Sequence, residues 1–558
     1  MVAVALMAPA AQAGLLQETT GIQYVPHAPI AIQGDDAPLP YVSGIVRGTG
    51  TATDPFIIEG WDIQTTPTRP VRGLLGPREL AVPADAVAPG MPGQGVALLG
   101  PGSAEDGTVS STGALLQEAL EDLVAIRIQD TVRHYVIRGN FLHDIGVGIL
   151  IQDAPNVVVE NNVISEVAVG LLLGGEDGPL IRGNTIVSVL DVGIGLRATA
   201  ALLEDNVIHA PVGIALLESL GAEVRRNLIT SSAVALDVRG QGGHVLEGNL
   251  LMAQGTGVRL AQSGLNRVLG NNIAGPQVGV AVQQGGLNEV SRNVLGGVAT
   301  GIDVVGSTGN TLQGNTLAEA SVAGLLLRGG SDGNRVLDNT VARSGTGIAF
   351  EGGAGNVARG NALVRNGLGL LLDGGNNAAE RNLVQDSPVG ILARDAAHAV
   401  VLGNAVQKAE RGLVVERVPG AVVTENLVTL SATGVLLHAS PDSVMTRNSL
   451  LDNGLGALVQ DSPRTAVQRN NFYSNDATGL EVLRSAGTTV RTNNFGHNLP
   501  FGLLVTDSGA APLDATQNYW GSTTGPSEPG KLGKGDPVGG NVNTSPHATQ
   551  PILDAGAP

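Results

Sequence analysis

Asparagine returns along this chain at a nearly fixed interval, and that interval constrains the fold more than any other feature. The series runs Asn140, Asn162, Asn184, Asn206, Asn227, Asn249, Asn271, Asn293, Asn315, Asn339, Asn361, Asn382, Asn404, Asn426, Asn448, Asn470, Asn493 and Asn518; most steps are 22 residues and the rest lie between 21 and 25. A short apolar phrase follows each one, as in Asn162-Val163-Ile164, and a glycine phrase comes next, as in Gly170-Leu171-Leu172-Leu173. A repeat of this size signals a solenoid, whose units bury apolar surface only against their neighbours. Runs such as Val157-Val158-Val159 are rich in Val, Ile and Leu and too short for an amphipathic helix. Each unit therefore holds about three short strands and three bends, one coil of a parallel β-helix. Leucine-rich repeats share the period, but their longer strand phrase and convex helix are missing.

The recurring residues have physical jobs. Asparagine tolerates a left-handed bend and bonds neighbouring backbone. Stacked coil on coil, its amides can form a ladder. The expected ladder includes Asn162, Asn184, Asn206, Asn249, Asn293, Asn315, Asn361, Asn404, Asn426 and Asn448. Glycines such as Gly148, Gly170, Gly213, Gly279 and Gly412 mark a second bend, needing either positive φ or close backbone approach. Ala233 stands where that glycine is missing, which predicts an irregular coil there. At roughly 4.8 Å per coil, the repeats predict a rod on the order of 80 Å long.

The composition suits thin aliphatic coils, with 80 Gly and only 2 % aromatic residues. Net charge is −18 and Lys is scarce, so no basic stripe is available to neutralise phosphates, and nucleic acid is excluded as a partner. With no Cys there are no disulfides or thiolate metal sites. Residues 1–13 read as a signal peptide: Val2 to Met7 is apolar and Ala11-Gln12-Ala13 fits a small-x-small cleavage rule, although a basic n-region is missing. No later stretch reaches the ~20 apolar residues of a membrane span. The expected location is therefore periplasmic, extracellular or at the cell surface.

Two phrases at the entry and exit of the repeat are distinctive. Gly48-Thr-Gly-Thr-Ala-Thr-Asp-Pro-Phe-Ile-Ile-Glu-Gly-Trp-Asp-Ile63 and Asn518-Tyr-Trp-Gly-Ser-Thr-Thr-Gly-Pro-Ser527 resemble the opening and closing coils of NosD-like β-helix proteins, the CASH-repeat group of the pectin-lyase-like superfamily. The resemblance implies a right-handed parallel β-helix, here of about 18–19 coils. Trp61 is expected to cap the open first coil. Domain boundaries follow: an N-terminal extension over 14–47, the opening coil over 48–64, a surface insertion over 65–124, the β-helix over 125–527 and a loose C-terminal tail over 528–558. The insertion is rich in Pro and Gly, with one short helix expected over Leu115–Leu123.

A β-helix stacks equivalent residues in columns. Four residues after the coil glycine, one column reads Arg328, Glu351, Asp373, Arg394, Glu416, His438. Glu351, Asp373, Glu416 and His438 offer oxygen and imidazole ligands for a divalent cation, while the alternation with Arg394 favours a charge-paired surface ladder. Four residues after the ladder Asn, a second column contains Asp144 and Glu166, followed later by Glu319, Arg343, Arg365, Asp386 and Lys408. Asp144 and Glu166 are the catalytic candidates, on adjacent coils near the ~5 Å separation of a retaining glycosidase pair. Tyr473 and Trp520 belong to an aromatic-enriched C-terminal region and are candidates for stacking on sugar rings, with core stacking as the alternative.

The superfamily's site phrases do not map here: Asp35-Asp36 is the one Asp-Asp and lies outside the repeats, and the polygalacturonase, pectate-lyase and alginate-epimerase patterns are missing. The NosD-like resemblance also implies copper handling, yet His143 and His209 fall three coils apart. The sequence thus predicts an exported, non-catalytic β-helix binding an extended ligand such as polysaccharide, or a cell-surface protein, with no cofactor. The alternatives are a polysaccharide lyase, hydrolase or epimerase, and periplasmic copper handling.

Overall fold

The computed structural model describes residues 23–36, 43–64, 123–529 and 532–558. The expected signal peptide, the expected helix up to residue 122 and nearly all of the expected insertion lie outside these residues. The described chain is a parallel β-solenoid of about 18 turns, with no helix among the described residues. It divides into two compact units, Met1–Gln277 and Val278–Pro558.

In the first unit a regular coil consists of Val245–Glu247, Leu250–Ala253 and Thr256–Ala261. Each strand pairs in parallel with the strand one repeat away: Val245 faces Arg267, Leu250 faces Asn272 and Val234 faces Thr256. Alternation does the sorting, because residue i+1 of a strand points away from residues i and i+2. Ile164, Ile186, Ile208, Ile229, Leu251 and Ile273 consequently form one fully buried aliphatic column. The coil holding Ala233 is regular after all. Ala235, not Ala233, occupies the glycine column, and its strand pairs on both sides without a register shift. The irregular strands are instead Val163–Asp177 and Thr185–Thr199, whose pairing slips twice, between Val167 and Val169 and between Gly174 and Asp177. Strands also begin earlier than expected: Val25–His27 and Ile30–Gln33 pair with Trp61–Gln64 and Val124–Gln129. Trp61 is half-buried beneath that added layer, its ring tilted against His27 at 4.6 Å and donating from Nε1 to the Gly44 carbonyl at 2.6 Å.

The second unit repeats the pattern more evenly. Val400–Leu402, Ala405–Gln407 and Arg411–Glu416 pair with Val422–Thr424, Leu427–Thr429 and Thr433–His438. The C-terminal residues are not loose: Gly535–Gly539 joins Phe501–Thr506, and Ile552 and Ala555 bond the side chains of Asn494 and Asn471.

Both units are threaded by the asparagine ladder. Asn404 donates from its backbone N and from Nδ2 to Asn426 Oδ1, at 2.9 and 3.0 Å, and from Nδ2 to the Ala379 carbonyl at 2.9 Å. The left-handed residue is the one before the ladder position, for example Asp205 or Arg226, rather than the Asn itself. The column glycines have ordinary φ. They are required by close approach: a Cβ at Gly412 would lie 2.5 Å from the Gly434 carbonyl oxygen. Further ladders occupy other bends, including Asn288–Asn310–Asn334–Asn356–Asn377 in the second unit.

Candidate functional site

The most unusual polar arrangement lies on the second strand of the N-terminal coils. Ile63, Leu142 and Ile164 point inward and are fully buried. Their neighbours Asp62, Phe141 and His143 therefore face outward. Phe141 is paired with Asp62 on one side and Val163 on the other, and His143 with Gln64 and Ser165. The chain then bends at Asp144 and, one coil later, at Glu166, with φ of 51° and 54°. Side chains of consecutive coils converge at this bend.

His143 sits between two carboxylates. Its Nδ1 lies 2.6 Å from Asp144 Oδ2 and its Nε2 lies 3.0 Å from Asp62 Oδ1. Glu166 adjoins Asp144 from the next coil, so Asp62, His143, Asp144 and Glu166 cluster across three coils. The Glu166 carboxyl is raised above the ordinary range, first by burial and then by its hydrogen bonding and charge interaction with Asp144. Aromatic rings flank the acids. Phe141 stacks on His143 at 4.3 Å and 22°, and Tyr24 lies 5.8 Å from Phe141. All three rings are partly exposed. Burial, with Asp62 as a second cause, raises the Tyr24 hydroxyl pKa. One coil beyond Glu166, Asp191 occupies the slipped strand; burial pushes its carboxyl up to about 6.

The structure therefore unites Asp144 and Glu166 and adds Asp62, His143, Phe141 and Tyr24. The period located the first two. Asp62 escaped because the residues of the insertion interrupt the count between the opening coil and the repeats. The two carboxyls can accept hydroxyl hydrogens.

The other predicted residues fall elsewhere. Trp520 is fully buried in an internal stack, 4.6 Å from Phe495, which in turn lies 4.9 Å from Phe472. Its ring offers no face to a ligand, because residues two after the ladder Asn point inward. Tyr473 is half-buried and lies over Gly496, where it fills the space of the missing side chain. Glu351, Asp373, Arg394, Glu416 and His438 do form one column in successive register. Asp373 pairs with Arg394 at 3.0 Å and Glu416 with Arg417, while His438 Nδ1 lies 3.8 Å from Asp461. No group of three or more His, Cys, Asp or Glu able to hold a metal occurs among the described residues.

The family described as periplasmic copper-binding protein (NosD) matches residues 119–242, 235–383 and 374–523. The chain belongs to the NosD family. No curated protein sequence matches it. Solved structures similar to it include the periplasmic alginate epimerase AlgG, at 12 % identity over 65 % of this chain and 77 % of that one, TM-score 0.26. A mutant tailspike protein of E. coli bacteriophage HK620 in complex with pentasaccharide is 10 % identical over 73 % and 76 %, TM-score 0.32. A mannuronic acid specific polysaccharide family 6 lyase from human gut microbiota is 13 % identical over 71 % and 85 %, TM-score 0.27.

The NosD description implies copper, and the donors present do not fit it. Copper sites gather His, Met or Cys at close quarters. All nine His lie within the described residues, there is no Cys, and of the two described methionines Met445 is fully buried in the core and Met252 half-buried, with no His on a neighbouring coil of its strand column. Both ring nitrogens of His143 already face carboxylates.

Proposed function

We propose that this NosD-family chain is an exported, periplasmic solenoid that binds an extended polyhydroxylated ligand, a polysaccharide, on the outer face of its N-terminal coils without transforming it. One observation carries the reading: partly exposed Tyr24, Phe141 and His143 lie side by side against Asp62, Asp144 and Glu166. Aromatic faces pack on the C–H faces of a sugar ring, and carboxylates accept its hydroxyl hydrogens. The periplasmic assignment is supported by the NosD description and the small-x-small phrase before Gly14. The test is isothermal titration and array binding on neutral and acidic polysaccharides, with Phe141→Ala and Asp62→Asn beside the parent chain. Binding weakened at least tenfold by either substitution is the expected result; no binding by the parent across the panel overturns the reading.

A second reading, catalysis, is favoured by the two neighbouring carboxyls of Asp144 and Glu166, the latter raised above the ordinary range by burial and by Asp144. It predicts new reducing ends or unsaturated products in the same wells, lost in Glu166→Gln. Their absence across the panel removes it.

A further inference from the structure

A second recess lies on a different corner of the first unit, at the turns that follow the third strand of each coil. It consists of two adjoining hollows of about 450 and 410 Å³ that share Glu218 and Gln241. The hollow on the N-terminal side is polar, lined by Asp177, Arg197 and Thr199. The other is walled by Leu220, Leu265 and the backbone of Gly242 and Gly243. Volumes of this size fall within the ~300–1,000 Å³ of small-ligand sites.

The local sequence keeps the recess open. Gly240 passes beneath the Glu218 carboxylate, and a side chain there would collide with it; one at Gly242 would run into the Gly264 carbonyl. Gly243 adopts φ of 73° with open space around it. Leu220 and Leu265 are 47 % and 65 % exposed and give their hollow its apolar wall. Across the shared edge, the exposed Arg197 makes no ion pair among the described residues, although Asp177 and Glu218 line the same hollow. One wall is thus apolar and the other carries planar groups that donate and accept in pairs.

We propose that this recess is a subsite for a neutral hexopyranose oligosaccharide, the apolar wall receiving a ring face and Arg197, Glu218 and Gln241 receiving vicinal hydroxyls. It rests on the proposal above only in taking the ligand to be a glycan, and it lies on another corner of the coil from Phe141. Neutrality follows from charge. The recess sets two carboxylates against one guanidinium, on a chain of net charge −18, and a polyuronate would be repelled.

The experiment is titration of the full chain with cellohexaose, maltohexaose, mannohexaose and hexagalacturonate. Arg197→Ala, the double variant Glu218→Gln/Gln241→Ala, and Thr199→Trp, which fills the polar hollow, are compared with Phe141→Ala. The substituted recess residues are exposed, and circular dichroism checks that each variant is folded. The expected result is binding of a neutral hexaose, weakened at least fivefold by each recess substitution, with hexagalacturonate bound more weakly. Neutral binding that survives all three recess variants overturns the inference and leaves the Phe141 reading standing if Phe141→Ala removes it. Preference for hexagalacturonate also overturns the inference. Binding lost in the recess variants but not in Phe141→Ala keeps the recess and removes the first site. No hexaose binding by the parent overturns the recess as a glycan subsite, while the polysaccharide panel above still decides the Phe141 reading.

Discussion

Single residues carry this fold by making several bonds at once. Asn404 is held by contacts to Ala379 and Asn426, and its own Oδ1 accepts from the N and Nδ2 of Asn382 at 2.9 and 3.0 Å. Asn404→Ala strands the Asn382 backbone N–H and the Ala379 carbonyl in a dry interior. A loss of roughly 2 to 4 kcal/mol is expected from unpaired buried groups, read as a lower urea midpoint at unchanged slope. His244 shows the opposite compromise. It occupies a ladder position, accepting from Ala222 N at Nδ1 and donating from its own N to Asn266 Oδ1, while Nε2 is buried with no partner. Burial lowers its pKa to about 4, against about 6.5 when unfolded. The unfolded chain therefore takes up the proton first. Stability is intact above pH 6.5 and is lost as pH falls toward 4, by on the order of 3 kcal/mol at the acid limit. His244→Asn is expected to lose less stability than the parent between pH 7.5 and pH 4.5; equal losses in urea titrations at the two pH values would refute this.

At the scale of strands and columns, much was legible and the remainder has physical reasons. The period of 22 residues placed Glu351, Asp373, Arg394, Glu416 and His438 in one column, and register confirms it residue by residue. The charge alternation favours a paired ladder over a cation site, and Asp373 does pair with Arg394. The second ladder through Asn288 and Asn377 escaped because Ala399 and Ala421 follow it, so the signal stops part-way. The facing of Trp520 was also available: it stands two residues after Asn518, where Ile164, Ile186 and Ile208 stand in their coils, all buried. The aromatic stack is thus a packing device. Phe495→Ala would open a cavity between Phe472 and Trp520, and a cost of about 3 to 5 kcal/mol is expected, with Phe495→Leu recovering more than half. Equal thermal shifts for the two variants would mean the stack contributes little beyond its size. What periodicity could not supply is proximity across the break in the repeats, which joins Asp62 to His143.

For the whole molecule, the question is how a NosD-family chain relates to the copper in that family's description. A soft-ligand site requires donors that the fold can bring together, and a solenoid does this through columns or adjacent turns. Here the nine histidines are spread from His27 to His547, no thiolate exists, and the imidazole most favourably placed, His143, is fixed on both nitrogens by Asp62 and Asp144. Capturing copper at His143 would mean breaking at least one of those contacts and leaving a partly buried carboxylate without its partner, which weakens the site by the same free energy. The expectation is that protein incubated with excess Cu(II), or with Cu(I) under reducing conditions, retains well under one equivalent after desalting, by elemental analysis. His143→Ala is expected to leave that residue of metal unchanged. One tightly held equivalent, lost on substituting His143, would show that the carboxylate contacts yield to the metal. The N-terminal cluster would then be a metal centre first and a sugar platform second.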